Sequence, residues 1–136
     1  MKLLTRDTDY AVMALRFIAQ SKKEKVTVTE LVKELKIPKP FLRKILQILN
    51  QKKLLKSYKG QAGGFALAKA MKKINLVEVI EIFQGKIEFS KCIFKDYVCP
   101  QLATCKVKKK MDNIQKYVIS ELKSMTLESL IHKKKQ

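Results

Sequence analysis

At 136 residues the chain is long enough for one compact domain, or a small domain carrying a helical arm, and for little more. Lys and Arg number 30 against 12 Asp and Glu, a net charge of +18 that exceeds what solubility needs and points to a polyanion, nucleic acid first. No apolar run approaches the roughly 20 residues of a membrane span, and Arg6, Asp7 and Asp9 break any signal-peptide core, so a cytoplasmic location without a membrane partner is expected.

From about Asp7 to Ser21 the chain is apolar on most sides, with Tyr10, Ala14, Phe17 and Ile18 on one face and Ala11 and Leu15 close by, which predicts a helix buried between two layers. Asp7 is expected to cap it and Asp9 to sit in its first turn, facing the positive end of the helix dipole. Leu31, Val32 and Leu35 then mark a short helix, and Phe41, Leu42, Ile45, Leu46 and Leu49 a second. Pro38 disfavours the helical region at Ile37 and Pro40 suits a first helical position, so the chain stops and restarts within about four residues. That is the signature of a helix-turn-helix.

Two short strand-like segments follow, Leu54 to Tyr58 and Phe65 to Ala68, joined by KGQAGG, and together they predict a β-hairpin wing. Gly60, Gly63 and Gly64 are expected to permit positive φ and a close approach to a phosphate backbone, with Lys59 supplying charge. On the second helix, starting near Pro40, Arg43 is the candidate for a base contact, because a guanidinium can engage guanine through two hydrogen bonds. Lys39, Lys44, Lys52, Lys53 and Lys59 would neutralise phosphates, and Phe41 is expected to pack into the core.

Asn75 with Glu78 has the form of a capping box for a helix through Leu76, Val79, Ile80 and Phe83 that ends at Gly85. Farther on, Val107, Met111, Ile114, Val118, Leu122 and Met125 recur at three- and four-residue steps, a seam that suits packing against a second copy of the chain. Thr126 is placed to cap a short terminal helix.

Between these helices lie the three cysteines of the chain, Cys92, Cys99 and Cys105, spaced C-x6-C-x5-C. Three thiols cannot all pair as disulfides, whereas three thiolates and one further donor suit a tetrahedral zinc or an iron-sulfur cluster. An enzyme, and with it a small-molecule substrate, is disfavoured: no histidine is placed to act as a base for Cys99, and no paired carboxylates frame a pocket.

The start MKLLTRDTDYAVMAL, the wing KGQAGGFALAK, the segment INLVEVIEIFQG and the three cysteines together resemble the Rrf-two family of dimeric winged-helix transcription regulators, whose branches include IscR, NsrR and CymR. The resemblance spans nearly the whole chain and implies a mainly α fold with a small β-hairpin wing. It divides the chain into a winged helix-turn-helix DNA-binding domain (1–84), a cysteine loop (85–105), and a dimerisation helix with a short terminal helix and basic tail (106–136). It also implies that Cys92, Cys99 and Cys105 hold a [4Fe-4S] or [2Fe-2S] cluster that governs promoter binding. The IscR-like branch places a histidine three residues after the third cysteine; here that position is Lys108, which has no lone pair to donate when protonated, and the sole histidine is His132. The NsrR-like branch instead takes an aspartate near the start of the first helix from the other subunit, which implies Asp9 of the partner subunit as fourth ligand. The function implied is a homodimeric repressor on duplex operator DNA, sensing nitric oxide, oxygen or redox state, or iron-sulfur status. Two alternatives stay open: a cluster-free or zinc-containing factor regulated through its thiols, and a basic RNA-binding protein.

Overall fold

The computed structural model describes residues 2–60, 63–89, 100 and 104–131. Helix α1 (Arg6–Gln20) buries Ala11, Ala14, Leu15 and Ile18, the spacing expected of a helix laid across a core. Its N-cap is Thr5, whose hydroxyl accepts from the Thr8 N–H, so the cap expected of Asp7 belongs to the residue two positions earlier. Asp7 and Asp9 both lie in the first turn.

Helix α2 (Val28–Leu35) opens with a capping box: the Thr27 hydroxyl accepts from the Glu30 N–H at 3.1 Å, and the Glu30 carboxylate accepts from the Thr27 N–H at 3.3 Å. It ends at Lys36 in the left-handed region with φ of 57°, and α3 (Lys39–Gln51) restarts after Pro38, with Pro40 in its first turn. The expected helix-turn-helix is therefore present, and Leu42, Ile45, Leu46 and Leu49 form the buried stripe of its second helix.

Helix α3 terminates in a Schellman motif built without glycine. Lys53 takes φ of 66°, its N–H donates to Asn50 O, and Leu54 N–H reaches back to Leu49 O at 3.0 Å. That reversal feeds strand β1 (Leu55–Tyr58), which pairs antiparallel with β2 (Gly64–Leu67) in the register Leu55 with Leu67 through Tyr58 with Gly64. Val26, just before α2, adds an isolated antiparallel rung to β2 by exchanging two 2.8 Å backbone hydrogen bonds with Phe65. The hairpin is thereby sewn to the base of the helix-turn-helix.

A single 3-10 turn (Met71–Lys73) leads to α4 (Leu76–Gln84), capped by the Asn75 side chain accepting from the Glu78 N–H. The Glu78 carboxylate turns to Lys69 Nζ at 2.9 Å. Helix α4 is buried on two sides, because Val79 joins the main core with α1 and α3 while Leu76, Val77 and Ile80 form a second cluster with Ile87 and Leu122 of α5 (Lys106–Ser124). The short α6 (Leu127–Leu130), capped by Thr126 as expected, returns to the main core: Leu127 is buried in it and its N–H donates to Ile74 O at 2.7 Å.

The apolar seam read along α5 is divided between two roles. Its C-terminal part, Val118 and Leu122, covers α4 of the same chain, with Ile119 beside it. Val107, Ile114 and Met125 remain exposed, joined by Tyr117.

Candidate functional site

Successive residues on an α-helix are about 100° apart, so Lys39, Arg43 and Gln47, at four-residue steps, run along one flank of α3. All three face the hairpin across an open cleft of about 680 Å³, whose other walls include Thr27 and Thr29 at the start of α2, and Tyr58, Gly60 and Gly64 on the wing. The cleft exists because α3 buries only the stripe Leu42 to Leu49, leaving the adjacent flank to solvent, while the Val26 rung holds the hairpin at the base of α2. Lys44 is exposed on the outer face of α3 and does not line the cleft, and Lys59 is exposed at the wing. Gln47 escaped the sequence reading, although its place one turn beyond Arg43 and its amide, a reader of adenine edges, were signals for it.

The three wing glycines serve different ends. Gly60 has φ of 101°, the positive value expected of all three, which Gly63 and Gly64 do not adopt. A Cβ on Gly64 would lie 2.6 Å from Val26 O, and one on Gly63 would collide with the carbonyls of Tyr58 and Gly60. The close approaches that require these two glycines are thus to the chain's own backbone, where the sequence suggested an approach to phosphate.

Cations held on aromatic rings stand on both sides of α3. On the wing side Lys25 Nζ lies 5.1 Å from the Tyr58 ring centroid. On the other side the Arg6 guanidinium carbon lies over the Phe41 ring at 5.5 Å. Phe41 is 45% exposed, which overturns its expected place in the core: it falls about 100° off the buried stripe at the first turn of α3, where the start of α1 is its neighbour. In the first turn of α2, Glu30 accepts from Lys23 Nζ at 2.7 Å. That hydrogen bond, and a second from the Thr27 N–H, hold its carboxyl below the ordinary value of 4.5.

Of the cysteines, Cys92 and Cys99 lie outside the described residues, as does His132. Cys105 is half-buried and caps α5, its Sγ accepting from the Lys108 N–H at 3.4 Å, so this sulfur sits at the positive end of a 19-residue helix. Lys108, at the position where a histidine would serve as ligand, directs its ammonium to the Asp112 carboxylate at 2.8 and 3.0 Å. Asp9 is exposed in the first turn of α1 and so presents its carboxylate to the surroundings of its own subunit. Among the described residues no three His, Cys, Asp or Glu side chains come together as a metal site. A sulfur donor at a helix N-terminus suits an anionic cluster, and to that extent Cys105 fits the proposed ligand set.

Among the described residues no helix is long and apolar enough to cross a membrane.

Comparison with known proteins agrees with this architecture. The profile of the Rrf2 family, iron-dependent transcriptional regulators, matches residues 4–133. An Aquifex aeolicus protein described as an HTH-type transcriptional regulator is 33% identical over 125 residues, covering 90% of this chain and 87% of its own length. The HTH-type transcriptional regulator NsrR of Shouchella clausii is 26% identical over 130 residues, covering 94% of this chain and 87% of its own. In three dimensions the chain is similar to CymR, the global cysteine regulator of B. subtilis, with a TM-score of 0.77, 19% identity and 96% of each chain covered. T. potens IscR gives a TM-score of 0.73 at 22% identity, covering 96% of this chain and 85% of its own. These two likenesses establish the winged-helix fold, and the sequence matches establish the lineage. The chain belongs to the Rrf2 family of transcriptional regulators.

Proposed function

We propose that this protein is a cytoplasmic, homodimeric repressor that reads promoter DNA with α3 and the wing, under the control of an iron-sulfur cluster. The observation that carries the DNA-reading half is the row Lys39, Arg43 and Gln47 facing the glycine-rich wing across an open cleft, on a chain of net charge +18. In this reading α3 enters the major groove, Arg43 hydrogen-bonds a guanine edge, and Lys39, Lys44 and Lys59 meet phosphates. Gly60 gives the wing tip its turn, and Gly63 and Gly64 keep the hairpin tight enough to follow the backbone. Residues 1–84 form the reading head, 85–105 the sensing loop and 106–136 the dimer contact, which uses the exposed row Val107, Ile114 and Tyr117.

The cluster reading is supported by the three-cysteine spacing, by the position of Cys105 at a helix N-terminus, and by relatives named NsrR. Cys92, Cys99, Cys105 and Asp9 of the partner subunit would hold the group. An iron-sulfur cluster, [4Fe-4S] or [2Fe-2S], supplies iron that reacts with nitric oxide or oxygen. The carboxylate of Asp9 is a harder donor than the three sulfurs and would leave one iron more open to nitric oxide or oxygen. Because Asp9 lies in the first turn of α1, the helix that packs on α3, its engagement would bear on how the two reading heads are spaced.

The test is a pair of substitutions measured on duplex DNA over a series of operator variants. Arg43→Ala should relax preference at one base pair, by about 1–3 kcal/mol of discrimination, and Lys59→Ala should weaken binding to all sequences alike. The reverse pattern refutes the assignment. An anaerobic preparation without colour or iron would move the signal to zinc or to the thiols themselves.

A further inference from the structure

We infer that Arg6 is a phosphate-binding residue, held ready by Phe41, on the side of the recognition helix away from the wing. The inference rests on the reading of α3 as the groove-entering helix. Arg43 faces the hairpin, and Phe41, two residues earlier, is about 160° around the helix from it, so the Arg6–Phe41 pair stands on the opposite flank. A helix seated in a groove about 12 Å wide has one phosphate backbone on each flank. The wing, with Lys59 and the Lys25–Tyr58 pair, serves one of them. The described structure offers the other backbone Arg6.

Three observations make Arg6 a built contact and not an incidental surface cation. Its neighbours Asp7 and Asp9 share the first turn of α1, yet Arg6 takes part in none of the ion pairs among the described residues. Its guanidinium lies instead over an aromatic ring that the fold leaves 45% exposed. Stacking leaves the in-plane N–H donors of a guanidinium free for an anion, and limits the rotamer freedom that would be lost on binding. Second, the residues before Arg6 are pinned: Thr5 N–H donates to Gln84 Oε1 at 2.9 Å, and Leu3 O accepts from Gln84 Nε2 at 3.1 Å. Third, Phe41 belongs to α3 itself, so Arg6 is registered against the reading helix and not against a separate element. Phe41 is a positioning residue, and Arg6 makes the contact.

The experiment measures affinity of the protein for duplex DNA across a salt series and a set of operator variants, with Arg6→Gln, Phe41→Leu, Phe41→Tyr, Lys59→Ala and Arg43→Ala compared with the parent. Arg6→Gln should weaken binding about tenfold on every sequence and lower the slope of log affinity against log salt by about 0.9 for each subunit bound. Phe41→Leu should weaken binding in the same sequence-independent way while keeping the full salt slope, and Phe41→Tyr, which retains the ring, should restore the affinity. Arg6→Gln with parental affinity and slope, beside a weakened Lys59→Ala, overturns the inference and leaves the reading of α3 standing. A change in sequence preference with Arg6→Gln also overturns it. If Arg6→Gln, Lys59→Ala and Arg43→Ala all bind duplex DNA as the parent does, the α3 reading itself fails. Unchanged thermal unfolding of the Arg6 and Phe41 variants confirms that the folded protein is being compared.

Discussion

Gln84, the last residue of α4, ties the end of that helix to the start of α1, and its removal should be measurable as lost stability. Its Oε1 accepts from the Thr8 hydroxyl at 2.6 Å and from the Thr5 N–H at 2.9 Å, and its Nε2 donates to Leu3 O at 3.1 Å. Thr8 has no exposed surface, so its hydroxyl has no water to fall back on. A net hydrogen bond of this kind contributes about 0.5–1.5 kcal/mol, and a stranded buried hydroxyl costs about 1–3 kcal/mol. The Thr5 hydroxyl, 3.2 Å from that of Thr8, can take up part of the loss. Gln84→Ala should therefore cost about 2 kcal/mol, roughly 8 °C in melting temperature for a chain of this length. Alanine is the better helix former, so any loss comes from the tertiary bonds. Thr8→Val, which keeps the shape and removes the hydroxyl, should cost about 1 kcal/mol, and the double variant should cost about 1 kcal/mol less than the sum. Urea unfolding followed by far-ultraviolet circular dichroism gives all three values. Additivity within about 0.3 kcal/mol, or a cost for Gln84→Ala below about 0.5 kcal/mol, would show that this network does not hold the two helices together.

Lys53 occupies a left-handed position that costs a side-chain-bearing residue about 1–2 kcal/mol, so Lys53→Gly should stabilise the protein by about 0.5–1 kcal/mol after the extra entropy of glycine in the unfolded chain; a lower melting temperature would contradict the Schellman geometry. Because Lys23 and Thr27 depress the Glu30 carboxyl, its contribution to stability is complete above the ordinary value of 4.5 and is lost as pH falls below it. Glu30→Gln should flatten the stability curve just below pH 4.5, and an unaltered curve there would remove the α2 cap from the acid response. Asp9→Ala, reconstituted without oxygen, should hold less iron per subunit or lose it faster in air, and equal content and lifetime would take Asp9 out of the site. Tyr117 is 67% and Ile114 38% exposed on α5, so Ile114→Glu with Tyr117→Glu should convert a dimer to monomer in sedimentation velocity; an unshifted dimer would place the contact elsewhere.

The architecture was legible where the determining forces are local. The interruption at Pro38 and Pro40, the capping pair Asn75 and Thr126, and the period of the apolar residues in α1 and α3 each set backbone conformation within a turn or two of themselves. For the same reason the wing was visible from two short apolar segments around Gly60. The places that escaped local reasoning are those where a distant segment decides. Thr5 caps α1 in place of Asp7 within a network completed by Gln84, far along the chain. Lys36 and Lys53 hold left-handed positions for which a sequence reader looks to glycine, because burial of Ile37 and Leu54 just beyond them outweighs the local backbone cost.

The sequence alone determined that this is a basic helix-turn-helix protein with a wing and a three-thiol loop, since periodicity, proline, glycine and charge act through nearest neighbours. Only the tertiary structure decided that Gln47 joins Lys39 and Arg43 in the cleft, that Phe41 stays at the surface beneath Arg6, and that Leu127 returns to the main core. Those outcomes depend on which elements meet, and burial at a meeting of elements far apart in the chain is a property that no single stretch of residues carries.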